Sequence, residues 1–175
     1  MADSTLFIAG GGVVVVLLAV SAFFSSSEIA IFSVAPEWVS ERAGAGDKRA
    51  AALEALQSNP HRLLVTILVG NNIVNIAISS IITVLVARSL SGGLAITVAT
   101  VLASSLVLVC GEIVPKSYGL GNAEEWSLRM VKPLTIVERV LYPLVVIFDG
   151  LTRRISAVLG GDEHIEEPYA DDSSP

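Results

Sequence analysis

The chain has 175 residues, 53% of them hydrophobic and 16% charged, with a mean hydropathy of +0.70, whereas a soluble domain carries about 25% charged residues. The formal net charge of −6 sits at one end: Asp162, Glu163, Glu166, Glu167, Asp171 and Asp172 are six of the seventeen acids and lie in the last fourteen residues. The other 161 residues hold eleven acids and eleven bases, which excludes an acidic water-soluble protein and a nucleic-acid binder, since the latter needs a basic stripe.

Three stretches contain no charged residue at all: 4–27, 63–87 and 89–111, covering 24, 25 and 23 positions. About 20 apolar residues in a helix cross the roughly 30 Å hydrocarbon core. The composition therefore predicts an all-α membrane protein with three transmembrane helices per protomer, at about 5–33, 62–87 and 91–114. A signal peptide has a basic start and an apolar core of about 7–15 residues. Here only Asp3 precedes a longer apolar run, so the first span is expected to be retained.

Amphipathic juxtamembrane helices are expected at about 37–58 and 120–160, including a short one at 47–57 after the flexible Ala-Gly-Ala-Gly of 43–46. Asn59-Pro60 reads as an N-cap with Pro at N1, opening the second span. Gly92-Gly93 reads as the tight turn between the second and third spans. The apolar run 140–148 has nine residues, is interrupted by Pro143 and is bounded by Arg139 and Asp149. It is too short to cross and is expected at the interface. Segment 161–175 reads as an acidic, disordered linker or tail.

Arg42, Lys48, Arg49 and Arg62 precede the second span, and Lys116, Arg129, Lys132, Arg139, Arg153 and Arg154 follow the third; the one remaining base is Arg88. Positive residues favour the cytoplasmic side. The expectation is a multi-pass protein of the cell membrane, N-terminus outside, with juxtamembrane helices and C-terminus in the cytoplasm.

Polar residues inside the spans carry the functional signal, because intramembrane carboxylates and amides are costly and face a bundle interior or a wet cavity. In span one Ser21, Ser25 and Glu28 fall at i, i+4 and i+7, on one helix face. In span two Asn71 and Asn75 are four apart, beside Gly70 and Asn72. Span three ends in Cys110-Gly111-Glu112-Ile113-Val114-Pro115-Lys116. Pro115 brings no N–H to the carbonyl of Gly111, so this end is expected to unwind, as irregular backbone is tolerated where protein or a cavity satisfies it. Hydroxyl, amide, carbonyl and carboxylate oxygens are hard ligands, suited to Mg²⁺, Ca²⁺ or Na⁺. The single cysteine excludes a disulfide framework and a cysteine-based zinc site.

Structural roles compete with these. Ser26, Ser27, Ser79 and Ser80 are expected to bond their own backbone or a neighbouring helix, and the asparagines can simply join helices at about 1 kcal/mol per bond. Glu28 can reach water at the cytoplasmic end. Lys116 is either an ion-pair partner of Glu112 or a cytoplasmic anchor. Cys110 reads as a packing residue, and His61 and His164 as solvated. Ala95, Ala99 and Ala103 form a small-residue ladder for close helix packing, with a dimer contact as one use. No His-Glu-x-x-His pair, no Gly-x-Ser-x-Gly and no histidine within a span is present, so an enzyme is not expected.

Three motifs carry a resemblance: Phe-Ser-Ser-Ser-Glu at 24–28, Leu-Val-Gly-Asn-Asn-Ile-Val-Asn at 68–75 and Gly-Glu-Ile-Val-Pro-Lys at 111–116. In order, spacing and placement they resemble the transmembrane domain of the CorC/CorB and cyclin M (CNNM) magnesium transporters, over roughly residues 5–160. The resemblance implies a homodimer that exports Mg²⁺ from the cytoplasm, coupled to Na⁺ entry. It implies metal ligands at Ser25, Asn71, Gly111 through its carbonyl, and Glu112. Ser21, Asn75, Ser26 and Glu28 are further candidates as metal or sodium ligands, and Pro115 and Lys116 as the helix break and gate. Family members continue into cytoplasmic CBS modules that bind adenine nucleotides. The acidic segment has no such module, so the chain reads as a truncated form without nucleotide regulation. The alternative function is a non-transporting Mg²⁺ sensor or scaffold that regulates a partner channel.

Overall fold

The computed structural model describes residues 2–159. The acidic segment 161–175 and His164 lie outside the described residues.

Local chemistry explains where each helix starts and stops. The first helix, α1 (Ala2–Ser33), stops short of Pro36, which occupies the first turn of α2 (Pro36–Gly44), where its missing N–H costs nothing. Gly46, at φ +94°, then turns the chain. Such left-handed backbone favours glycine. Asp47 caps α3 (Lys48–Gln57) by accepting from the Arg49 backbone N–H at 2.9 Å. Asn59 caps α4 (Pro60–Ser89) by accepting from the Arg62 N–H at 3.1 Å, with Pro60 in the first turn as expected. Gly92, at φ +65°, opens α5 (Gly92–Leu106).

The next segment departs from expectation. Instead of unwinding near Gly111, the third span widens into a π-helix (Val107–Ile113) and continues as α6 (Val114–Gly121). At the end of the wide turn the Val114 N–H bonds the carbonyl of Val109, five residues back. The i→i+5 pattern keeps the backbone paired up to the proline, so helicity survives where a strict α-helix would break. The last helix, α7 (Ala123–Leu159), runs through both Pro133 and Pro143.

Among the described residues three helical stretches are long and apolar enough to cross a membrane: Thr5–Ser33, Pro60–Ser89 and Gly92–Gly121. The molecule is thus an all-α membrane protein. The outer faces of the spans, with Ile8, Val15, Ile76, Leu94, Ile96 and Val101 exposed, suit contact with lipid.

The spans pack through small residues. A side chain at Gly70 of α4 would run into the Phe24 ring of α1, so this glycine makes room for the tip of the ring against the neighbouring backbone. Ala95, Ala99 and Ala103 are buried, and α5 packs on α4 within the chain. The alanine ladder therefore serves packing inside the chain. At the lower end Val39 of α2, Leu53 of α3 and Leu128, Val131 and Leu134 of α7 join one core with Ile31, Leu63 and Ile67. The Gln57 amide donates to the carbonyl of Ile31 at 3.0 Å, satisfying an otherwise orphaned acceptor near the end of α1.

Candidate metal centre

The polar residues of the three spans meet. Ser21 Oγ, fully buried, lies 3.0 Å from Asn71 Oδ1 and 2.8 Å from Asn75 Oδ1. The Asn75 amide nitrogen donates to Glu112 Oε1 at 3.1 Å. Gly111 is buried beside them, and a Cβ built on it would lie 2.7 Å from Ser21 Oγ. One residue of α1, two of α4 and two of the π-helix therefore form a continuous polar centre, with Asn75 linking α4 to both neighbours.

Proton counting describes its chemistry. The Asn75 amide is oriented by its donation to Glu112, which directs its oxygen at Ser21. Asn71 directs an oxygen there too, yet the Ser21 hydroxyl has one proton for two acceptors. Ser25 Oγ, one turn further along α1, is buried with no hydrogen-bond partner. Buried hydroxyls and amides are normally satisfied. A surplus of lone pairs over protons around one carboxylate suits a hard cation better than an anion or an apolar ligand. Among the described residues no group of three or more His, Cys, Asp and Glu side chains gathers, so a cation held here would rely on neutral oxygens plus Glu112.

The other candidate residues sort by their partners. Ser26 donates to the carbonyls of Ala22 and Phe23, at 2.6 and 3.3 Å, and its hydroxyl is committed to its own helix. Ser79 and Ser80 likewise donate to the carbonyls four residues back. Ser27 does not: its hydroxyl is buried and unpartnered, contrary to the expectation of a bond to its own backbone or to a neighbouring helix. Lys116 pairs with Glu28, Nζ to Oε2 at 3.2 Å, rather than with Glu112. That ion pair joins α6 to α1 on the Glu28 side of the centre. Close packing reinforces the join, because a Cβ at Gly119 would collide with the Ser26 carbonyl oxygen. Pro115 lies in the first turn of α6, directly after the wide turn. Cys110 is exposed, not a core packing residue; the wide turn carries it outward while Gly111 faces α1.

Sequence reasoning did not anticipate the π-helix or the Phe24–Gly70 contact. Neither has a local signal: the first depends on a register shift and the second on which ring lands on a glycine.

Three apolar spans around an oxygen-rich polar centre define a multi-pass membrane protein with polar side chains gathered inside the helix bundle. Residues 12–173 match the cyclin M transmembrane N-terminal domain, and the chain belongs to that family. It is 35% identical over 141 residues to a UPF0053 protein of Haemophilus influenzae, covering 81% of this chain and 33% of that protein. It is 30% identical over 141 residues to the UPF0053 inner membrane protein YfjD of Escherichia coli, with the same coverages of 81% and 33%. A chloroplastic DUF21 domain-containing protein of Arabidopsis thaliana is 32% identical over 150 residues, 86% of this chain and 22% of its own length. The chain thus spans a third or less of these relatives.

Proposed function

We propose that the chain is the membrane domain of a transporter that moves Mg²⁺ out of the cytoplasm, coupled to Na⁺ entry. The observation that carries this reading is the convergence of Ser21, Asn71, Asn75, Gly111 and Glu112, with more oxygen lone pairs than protons. Mg²⁺ prefers octahedral oxygen ligation and gives up water reluctantly. Ser25, Asn71, the Gly111 carbonyl and Glu112 are the proposed cargo ligands, and Ser21 and Asn75 orient them or hold Na⁺. Pro115, directly after the wide turn, brings no N–H of its own to the carbonyls one turn back. Pairing with Lys116 draws Glu28 out of the ligand set and lets the pair act as a latch on the cytoplasmic side. Export opposes an inside-negative potential, at about 2.3 kcal/mol per charge per 100 mV, hence the coupled ion. Asn75 and Glu112 are half-exposed, and in this proposal a second copy completes the enclosure, giving a homodimer in the cell membrane with its C-terminus inside.

The test is Mg²⁺ efflux from loaded proteoliposomes, with and without a Na⁺ gradient, for the wild type and Glu112→Gln. Efflux that rises with inward Na⁺ and collapses in the variant is expected. Equal efflux from both proteins refutes the role of Glu112, and binding without any efflux identifies a sensor instead.

A further inference from the structure

A second polar cluster lies away from the metal centre, where the start of α4 meets α7. Arg62, Thr135, Glu138, Arg139 and Tyr142 line a cavity of about 220 Å³, room for about seven waters at ~30 Å³ each. Arg62 Nε is 2.8 Å from Glu138 Oε1 but too poorly aligned for a hydrogen bond, and the guanidinium stacks 4.8 Å from the Tyr142 ring centroid. The Arg62 side chain remains 40% exposed. Arg139 is exposed and forms no ion pair among the described residues. Two guanidinium groups and one carboxylate leave the cavity with one positive charge in excess. Thr135 donates its proton to the Val131 carbonyl at 2.8 Å, so its hydroxyl has no free O–H for an anion and the arginines supply the donors.

The position of the cavity narrows what fills it. Arg62 is in the first turn of the second span, one residue before the charge-free stretch begins, which is headgroup depth. On α7, Ile136, Val140 and Ile147 are exposed along one helix face, and Arg139 flanks that face. A ligand with an anionic group for the arginines and apolar chains for the adjoining face matches both features. Guanidinium binds phosphate oxygens through a planar fork and does so better than an ammonium, and a tyrosine at this depth is typical of the membrane interface.

We propose that the Arg62–Arg139 cavity holds the phosphate of an anionic membrane lipid, whose acyl chains cover the Ile136–Val140–Ile147 face of α7. Glu138 orients Arg62 and leaves the outer nitrogens of the guanidinium for the phosphate. The site joins α4 to α7 through the lipid and is independent of cation transport.

The chain is reconstituted in nanodiscs of phosphatidylcholine containing one-fifth phosphatidylglycerol, and retained lipid is counted by native mass spectrometry after mild detergent release. The wild type is expected to retain phosphatidylglycerol selectively. Arg139→Gln should retain about fivefold less, the share of one arginine near an anionic surface. Lys132→Gln removes an exposed cation from the same helix outside the cavity and should retain as much as the wild type. Equal retention by the wild type and Arg139→Gln overturns the proposal, as does an equal loss in both variants, which would reflect general surface charge. Displacement of the lipid by millimolar inorganic phosphate would show that the cavity recognises a free phosphate, and also overturns it.

Discussion

Gly111→Ala is the sharpest probe of the proposed metal centre, because it adds one carbon and changes no charge. Gly111 lacks the positive φ that would make alanine strained in itself. The whole effect therefore comes from where the new Cβ falls, 2.7 Å from Ser21 Oγ and 3.3 Å from Ser21 Cβ. A carbon and an oxygen in contact need about 3.5 Å, so the pair must separate by most of an ångström. Ser21 can yield only by turning its hydroxyl away from Asn71 and Asn75, or by moving α1 off the π-helix. Overpacking of this kind costs about 1–3 kcal/mol, and losing the inter-helix hydrogen bond adds about 0.6–1 kcal/mol. In a chain of this length 1 kcal/mol lowers the melting temperature by about 2–4 °C, so a fall of several degrees is expected in detergent. Mg²⁺ efflux should fall much further than stability, since the displaced group belongs to the proposed site. Gly12→Ala is the control: it lies in α1 with nothing within 4 Å of its Cβ. If Gly111→Ala melts and transports like the wild type, Ser21 and Gly111 are not in the contact described here.

Other expectations test other parts of the fold. Gly119→Ala should destabilise by about 1–3 kcal/mol in thermal melts, because its Cβ meets the Ser26 backbone oxygen and lies 2.8 Å from Ile29 Cγ2, while Gly121→Ala meets nothing within 4 Å and should be silent. Glu28→Lys and Lys116→Glu should each lower the melting temperature, and the double exchange should recover most of the loss. The pair is partly exposed, at 23% and 43%, so the coupling should not exceed about 1 kcal/mol. A double variant no better than the singles refutes the pairing. The Arg49 backbone N–H, opposed by some desolvation and aided by Arg42, holds the Asp47 carboxyl below its usual range. A depressed folded pKa gives stability that is present above the unfolded value, about 3.9, and is lost as pH falls through the folded value. Protection of the first amides of α3 against hydrogen exchange, relative to the intrinsic rate at each pH, should therefore fall below about pH 4. In Asp47→Asn, which keeps the cap and removes the charge, that acid dependence should vanish.

The spans were legible because the signal for them is one-dimensional. A helix in hydrocarbon tolerates no unpaired charge over about 20 residues, and the three charge-free stretches record that constraint directly. Helix starts at Asp47 and Asn59 were legible too, since a cap acts within three residues. Contacts across helices were not. Lys116 stands four residues after Glu112, and on a regular α-helix those side chains are neighbours. The wide turn ending at Ile113 lies between them and breaks that register, which leaves Lys116 to Glu28. The alanine ladder has the spacing of a helix interface, but spacing does not say whether the partner is α4 of the same chain or a second copy. Ser26 and Ser27 are adjacent and chemically identical. Only the surroundings decide that the first bonds its own backbone and the second is left without a partner.

The composition of the proposed centre bears on how tightly it can hold its cargo. One carboxylate, Glu112, offsets half the charge of a divalent ion, and the rest falls to hydroxyl, amide and carbonyl dipoles. Those dipoles are not idle: Ser21 bonds the asparagine oxygens, and Asn75 bonds Glu112. An entering cation must replace these bonds, each worth about 1 kcal/mol between membrane helices, before it gains from its own ligands. In this proposal the network competes with the ion that it is to hold. For a resident structural metal that competition would be a defect, since such sites gain from several carboxylates and full ligation. For a transported ion it is an advantage: when the ion leaves, the side chains close on one another, and Glu112 keeps Asn75 as its partner.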